Sequence, residues 1–526
     1  MRRLFYPYLF AIFPALFLFA RNADQMRADE LIMPLAIVLL ITTVLLLVFR
    51  LLVRAWTKAA IITTLLLLFF FSFGHIRSLL PPFYIPIGNT DLMAGEVLLL
   101  VMGAVWIIVS VIIVMTKLDY GKVTPILNVV AGILVAIQLV QAGVTVFQRG
   151  AIEEAPSELA ETLTVPKDPP DIYYIIMDGF GREDVLRDTF NCGTVTLYER
   201  LRKAGFYVAT DSYANYIQTL LSMTSSLNLG YIQDFEGFDP HTWDRVGLSS
   251  KMRDNLLFKT MKSIGYKTVS FVSGFQLTRG WDTDIRLSPG LTLSDYQNIL
   301  LNTTPLPLFL IGRRTQYEIH RDRIKYILSK LPEIDEASSP MIVLAHVIAP
   351  HPPFVFGAEG QPVQRDWPPF SYADGYDWRG RWGTIEVYRQ SYCAQATYVS
   401  KLLWNAVSEL LKKYHDRPPV IIIQGDHGPG SRLHWRSVEK SDLHERFGIL
   451  NAYYFLGSDT AELYPGISPV NSFRVMFDAR FGANLPLLED HFYFSHDLKP
   501  FDFQEVTDRL RPNKEPDTVG MDPDED

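Results

Sequence analysis

Two cysteines, Cys192 and Cys393, are all that the 526 residues contain. A small exported domain stapled by several bridges would show an even, closely spaced set, so any folded unit in this chain must be held by its core. One long-range disulfide and two buried thiols are the two readings open to the pair. Neither cysteine has a partner at zinc-finger spacing, which leaves oxygen and imidazole as the main ligands for any metal. The chain also has no Gly-x-x-x-x-Gly-Lys-Ser/Thr loop and no Gly-x-Ser-x-Gly turn, arguing against a P-loop nucleotidase and an α/β-hydrolase serine. A concentrated basic surface is missing as well. With a net charge of -8, nucleic acid is not expected as the main partner.

What the chain has in excess is apolar sequence near its start. Hydrophobic residues make up 48% of it and crowd into the first ~150 positions, which reads as a membrane unit joined to a soluble one. Five apolar stretches stand out: Leu4 to Ala20, Leu31 to Phe49, Ala59 to Phe73, Val97 to Met115 and Ile126 to Phe147. Each approaches the ~20 residues that cross a bilayer. The third is the shortest and can be extended through Gly74 and His75 toward Leu80. The first follows Met1-Arg2-Arg3 like a signal peptide, but its aromatic and proline content, with no small-residue cleavage site after it, predicts a retained span. Arg50, Arg54 and Lys58 between the second and third stretches, and Lys117 and Lys122 between the fourth and fifth, predict that those loops are cytoplasmic. The N-terminus is then inside and everything after Phe147 outside, in a multi-pass protein of the cell (inner or plasma) membrane. Arg21 and Arg27 in the first outer loop weaken that bias without reversing it. The expected organisation is a transmembrane domain over 1–147, a linker over 148–170, a catalytic domain over 171–510 and an acidic disordered tail over 511–526.

Beyond the linker, short apolar runs alternate with longer amphipathic ones. Ile172 to Met177, Tyr207 to Thr210, Thr268 to Val272, Ile342 to Ala345 and Val420 to Gln424 read as buried strands. Val195 to Ala204, Leu220 to Asn228, Arg321 to Leu331, Val387 to Leu411 and Ser472 to Arg480 read as helices. The alternation predicts an α/β domain with a largely parallel sheet covered by helices on both faces. In such sheets functional groups gather beyond the carboxyl ends of the strands. Three expected strands end in candidates: Asp178-Gly179, then His346 and His351, then Gly425-Asp426-His427-Gly428.

Each candidate is ambiguous alone. Asp178-Gly179 is also an ordinary turn signal, and an Asp-His pair can be structural. Yet uncompensated charge after Val420-Ile421-Ile422-Ile423 would be expensive unless paired or bound to a metal. Thr219 opens a run with helical spacing, where it is either an N-cap or a hydroxyl beside free backbone N–H groups that favour an alkoxide and an incoming anion. His351, held among Pro350, Pro352 and Pro353, suits anion binding, a second metal or protonation of a leaving group. His346 upstream and His434 downstream could share such roles.

In this order the residues resemble the alkaline phosphatase superfamily, and within it the sulfatase-like branch of lipoteichoic acid synthases and lipid A phosphoethanolamine transferases. The resemblance implies an alkaline phosphatase-like fold preceded by about five transmembrane helices. It also implies one divalent metal, Zn or Mn, with a second metal as an option, held by Asp178, Thr219, Asp426 and His427. Thr219 becomes the catalytic nucleophile, with Ser222 completing a Thr-x-x-Ser spacing; His351 becomes a catalytic and substrate-facing histidine, and Asn215 and His434 are further substrate-binding candidates. Three departures are visible. Asp178 stands where the transferases usually carry Glu, their several disulfides cannot be made from two cysteines, and Gly428-Pro429-Gly430-Ser431 differs from the residues after their Asp-His pair. Neither cysteine begins a Cys-x-Pro-x-Arg sequence, the site of formylglycine in classical sulfatases. The implied function is transfer of a phosphoethanolamine- or phosphoglycerol-type head group between lipid and glycan substrates at the outer face of the membrane. Hydrolysis of phosphate or sulfate esters is the alternative, and a catalytically inactive membrane scaffold is the non-enzymatic one.

Overall fold

The computed structural model describes residues 4–21, 28–80, 84–87, 90–153, 157–192, 196–242, 245–275, 281, 283–289, 295–310, 316–335, 339–364, 370–414, 417–455 and 462–511. The tail expected over 511–526 lies, apart from Arg511, outside these residues, as does Val195. Contacts divide the chain into two compact units, residues 1–155 with 291–315, and residues 156–290 with 316–526.

Among the described residues the first unit contains five apolar helices: α1 (Tyr6–Arg21), α2 (Ile32–Val53), α3 (Trp56–Leu79), α4 (Ala94–Met115) and α5 (Thr124–Glu153). Four of them are long and apolar enough to cross a membrane; α1, at 16 residues, is shorter. The stretch that looks shortest in sequence is the 24-residue α3, because the helix runs on through Gly74 and His75. Two clusters mark the ends of the bundle. Tyr6, Leu46, Ala59, Ala60 and Ala131 meet at one, and Ala11, Ala15, Phe19, Leu67, Phe71 and Ala142 pack toward the other. At the first end Lys58 Nζ donates to the carbonyls of Val114 and Thr116, both at 2.8 Å, so the two basic loops share it. A two-stranded ribbon, β1 (Tyr84–Ile87) with β2 (Thr90–Met93), connects α3 to α4 at the opposite end.

The second unit is built on a seven-stranded sheet. Its strands are β3 (Ile172–Met177), β4 (Tyr207–Val208), β5 (Lys267–Phe271), β6 (Ile285–Leu287), β7 (Met341–Val347), β8 (Val420–Gln424) and β9 (Asn451–Phe455), in the spatial order β4-β9-β8-β3-β7-β5-β6. All neighbours are parallel except β9, which runs antiparallel to β8 and β4. Period-two alternation, with both faces covered, explains why the central strands are apolar throughout. Tyr173, Ile175 and Met177 face one core with Val343, Ala345, Ile421 and Ile423, under the helices Gln316–Lys330 and Ile385–Lys413. Ile172, Tyr174 and Ile176 face another with Ile342, Leu344, Val420 and Ile422, under Thr219–Leu227, Leu256–Ser263 and Pro469–Phe481. The two cysteines form a disulfide with Cα atoms 5.4 Å apart, tying the loop before residue 193 to the long helix Ile385–Lys413. A ribbon of β10 (Tyr493–His496) and β11 (Lys499–Glu505) completes the unit.

Candidate active site

Strands β3 and β8 are adjacent and parallel, with Ile176 opposite Gln424, so their carboxyl ends deliver Asp178 and Asp426-His427 side by side. Gly179 makes the turn at φ 72°, in the left-handed region that glycine adopts without strain. Its N–H donates to Asp426 Oδ1 at 3.0 Å, joining the two strand ends. The other oxygens, Asp178 Oδ1 and Asp426 Oδ2, are buried and accept no hydrogen bond. His427 Nε2 lies 3.5 Å from the first and 3.4 Å from the second. Because Nδ1 of the same ring sits 2.9 Å from the Gly428 carbonyl, Nδ1 carries the proton and Nε2 presents its lone pair. Burial, the Arg446 charge and then His351 push this imidazole well below its usual range, so it is neutral. Its contacts with the carboxylates are therefore not ion pairs.

Thr219 Oγ1 closes the group at 3.2 Å from His427 Nε2. Thr219 is the first residue of its helix rather than the cap. The cap is Gln218, which makes no capping bond; its side chain instead donates to Ser495 Oγ and accepts from Arg245. Ser222, one turn on, is buried. Two carboxylate oxygens, an imidazole lone pair and a hydroxyl oxygen thus converge with one proton among them. Such a set is repulsive unless a cation or protons are added, and burial followed by the neighbouring Asp426 drives the Asp178 carboxyl well above its usual range. Oxygen and imidazole donors of this kind fit a divalent metal.

His346 belongs to β7 itself rather than to the loop after it. Its Nε2 is 3.1 Å from Asp178 Oδ2 and its Nδ1 3.3 Å from Ser273 Oγ. Burial lowers it to about 4, so a neutral ring donates from Nε2 and orients the carboxylate. Metal-capable donors group as Asp178, His351 and His427 and as Asp178, His346 and Asp426.

His351 comes next to this group from the loop after β7. Its Nδ1 is in contact with the Pro352 carbonyl, and its Nε2 lies 3.8 Å from Asp374 Oδ2. Sequence reasoning missed Asp374 and its partner Arg446. Asp374 Oδ1 accepts from the Tyr388 hydroxyl at 2.6 Å, and Oδ2 from Arg446 Nη1 at 2.8 Å. Burial alone would raise this carboxyl, but His351, Arg446 and Tyr388 hold it at about 2. Arg446, itself 1% exposed, also donates from Nη1 to the Gly428 carbonyl at 3.0 Å and from Nε and Nη2 to the Ile217 carbonyl at 3.1 and 2.6 Å. One guanidinium thereby fixes the chain just before Thr219, the chain just after His427, and the carboxylate facing His351.

Two other sequence candidates lie elsewhere. Asn215 is fully buried, donating to Ser468 Oγ and the His491 carbonyl and accepting from Val470 N–H, so its amide braces loops. His434 packs its ring 5.2 Å from that of Tyr376 and is outside the metal-capable groups.

The sulfatase family sequence pattern matches residues 170–469, more than half of the chain. The chain belongs to the sulfatase family. It is accordingly an enzyme of the alkaline phosphatase superfamily, in its sulfatase-like branch. No curated protein matches it in sequence. Among solved structures it is similar to the zinc complex of the C-terminal periplasmic domain of EcEptC from Escherichia coli, at 11% identity and a TM-score of 0.42, over 65% of this chain and 93% of that one. It is similar to the integral membrane protein lipooligosaccharide phosphoethanolamine transferase A from Neisseria meningitidis at 12% identity and 0.40, over 91% and 96%. A 2-O GAG sulfatase is similar at 13% and 0.39, over 61% and 72%.

Proposed function

We propose that this sulfatase-family enzyme is a metal-dependent, membrane-anchored transferase that moves a phosphoethanolamine- or phosphoglycerol-type head group, with Thr219 as nucleophile and the catalytic domain on the extracytoplasmic side. The observation that carries the reading is the convergence of the unpartnered Asp178 Oδ1 and Asp426 Oδ2 with His427 Nε2 and Thr219 Oγ1 at a helix start. Those four residues would hold one divalent ion, Zn²⁺ or Mn²⁺, which when bound lowers the pKa of a hydroxyl and offsets charge on the transferred group. The Thr219 hydroxyl would give its proton to solvent as the ion binds; its oxygen then attacks phosphorus, the bond to the leaving alcohol breaks, the group rests on Thr219 as a phosphodiester, and the same oxygen leaves unprotonated in the return step. Backbone N–H groups of the first helical turn favour the phosphoryl oxygens. His351 Nε2 hands a proton to the leaving oxygen and takes one from the acceptor hydroxyl in the return step. His346 and Arg446 contribute by orientation, the first through Asp178 and the second through the Ile217 and Gly428 carbonyls.

Charge and redox chemistry support this location. Arg50, Arg54, Lys58, Lys117 and Lys122 lie around the loops at one end of the bundle, the end expected to stay cytoplasmic. The Cys192–Cys393 bridge suits an oxidising compartment on the other side. A lipid or glycan substrate at the outer face suits an enzyme tethered there.

The test is to trap purified full-length protein with a labelled phosphodiester analogue and map the modified residue by mass spectrometry. Label on Thr219 is expected; label on another side chain refutes the assignment. Supplying a glycan acceptor with labelled lipid then separates transfer from hydrolysis, since release of free head group alone would replace the transferase reading with an ester hydrolase.

A further inference from the structure

Between β6 and the helix Gln316–Lys330 the chain leaves the catalytic unit, and residues 291–315 belong to the helical unit instead. Sequence alone keeps them inside the catalytic domain, since a segment this short carries no spanning signal. Its described part is a helix over Asp295–Asn302 and a short turn of helix over Pro307–Leu310. The attachment is specific. Tyr296 is fully buried, stacks edge-on to Phe19 and donates its hydroxyl to the Ala15 carbonyl at 3.1 Å. Leu300 joins the cluster of Ala11, Ala15, Leu67 and Phe71. Gly74 N–H donates to the Thr303 carbonyl at 2.8 Å, and a Cβ on Gly74 would sit 1.9 Å from the Asn302 carbonyl oxygen. Only glycine in α3 admits the segment that close.

The outward side of the segment is different. No charged residue occurs between Asp295 and Arg313. Ile299 is 39% exposed, Leu306 38% and Phe309 68%. Leu308 contacts the start of α4, where a Cβ on Gly95 would lie 3.0 Å from it and 3.2 Å from Arg77 Nε near the end of α3. The segment therefore lies at the bundle end where α3 stops and α4 begins, opposite the basic loops. Leu79 and Met93 at that same end are also exposed. Together with Leu306 and Phe309 they continue the apolar shell that α4 presents through Leu100, Ile108 and Ile112, a helix with almost all of its apolar surface uncovered by the rest of the chain.

We propose that residues 295–310 are a membrane-interface element whose Ile299, Leu306 and Phe309 side chains enter the lipid headgroup and acyl boundary, giving the catalytic unit's chain a second attachment to the bilayer besides the linker after α5. A sequence without charge after Asp295, outward aromatic and aliphatic side chains, and continuity with the lipid-facing shell are what an interfacial element needs. Water would leave these apolar side chains uncompensated.

The inference does not depend on the chemistry at Thr219, and its test reads no turnover. Full-length Phe309→Cys and, separately, Leu306→Cys would be spin-labelled and reconstituted into phosphatidylcholine and phosphatidylglycerol vesicles. Collision rates with oxygen, which partitions into lipid, would be compared with those of a water-soluble nickel chelate. Ile108→Cys serves as the lipid reference and Lys401→Cys as the aqueous one. The expected result at both test positions is an oxygen-to-nickel ratio several-fold above that at 401 and approaching that at 108. A ratio equal to that at 401 overturns the proposal in favour of solvent. Low collision with both reagents and an immobilised label overturns it in favour of a protein partner or a second copy.

Discussion

Asp374 and the pair Asp178 and Asp426 are carboxylates buried around one histidine-rich cluster, yet they are treated in opposite ways. Asp374 has a guanidinium and a phenol on its two oxygens and is held ionised. Asp178 and Asp426 each keep one oxygen with no donor, and burial with their mutual repulsion pushes Asp178 toward its protonated form. A buried carboxylate that is fully paired is part of a frame; one left unpaired at a convergence of lone pairs is where the proposed cation would be held. The comparison predicts that substitutions on the two sides fail differently.

The largest effect should come from the reactive oxygen itself. Thr219→Ala is expected to lower turnover on the order of 10⁴-fold or more, with near-native thermal stability; a variant that keeps more than a small fraction of wild-type turnover sinks the nucleophile. Next is the ligand side. Asp426→Ala should lose bound metal, measured by elemental analysis after gel filtration, by well over the roughly 10–100-fold in affinity that accompanies loss of an outer partner such as His346. Equal metal content in Asp426→Ala and wild type would erase the distinction between the two kinds of carboxylate.

The frame side should fail in folding and alignment rather than in metal content. Arg446→Met strands Asp374 in the interior and is expected to cost about 3–5 kcal/mol in denaturant unfolding. The double variant Arg446→Met with Asp374→Asn should recover part of that loss, because a neutral amide is cheaper to bury than an unpaired charge. Additive losses would show that the two groups do not act as a pair. Metal content should stay near wild type in both, while kcat falls, since the Ile217 and Gly428 carbonyls lose the donor that aligns Thr219 and His427.

How much of this is legible in the sequence divides along the same line. The proposed ligand side sits after strands whose boundaries match at Ile172–Met177 and Val420–Gln424, because short runs rich in Ile, Val and Tyr ending in Asp-Gly or Gly-Asp-His-Gly carry local signals. The frame side is invisible for a topological reason. Functional groups are expected at the carboxyl ends of parallel strands, but β9 runs the other way and brings its amino end to the same edge. Arg446 arrives on the helix Leu443–Phe447 just before it. Nothing in Leu-His-Glu-Arg-Phe distinguishes a buried arginine from an exposed one. Asp374 precedes the helix Gly375–Trp382 and, among the described residues, follows no strand directly. The disulfide is one of two open readings, since spacing of 201 residues says nothing about proximity. The excursion at 291–315 is hidden because docking onto a bundle needs far fewer apolar residues than spanning a bilayer.

The smallest predicted effect is also the one that opposes the two carboxylate types most directly, through pH. Asp374 titrates at about 2 in the folded protein against an ordinary 3.8. Above 3.8 it is ionised in both states and its contribution is fully present. As pH falls from 3.8 toward 2 the unfolded chain takes up the proton first, and about 2 kcal/mol of stability is lost. Asp178 has the reverse sign: its folded carboxyl is raised, so in metal-free protein it removes stability as pH rises above 3.8. Chelator-treated protein should therefore lose stability in both directions, on the acid side through Asp374 and on the alkaline side through Asp178. Adding Zn²⁺ or Mn²⁺ should flatten only the alkaline limb, because a bound cation favours the ionised carboxylate that protons otherwise neutralise. Denaturant midpoints across this range for wild type, Asp374→Asn and Asp178→Asn resolve the two limbs. Asp374→Asn should weaken the acid limb and Asp178→Asn the alkaline one; an acid limb unchanged in Asp374→Asn would mean that its pairing with Arg446 is not what keeps it charged.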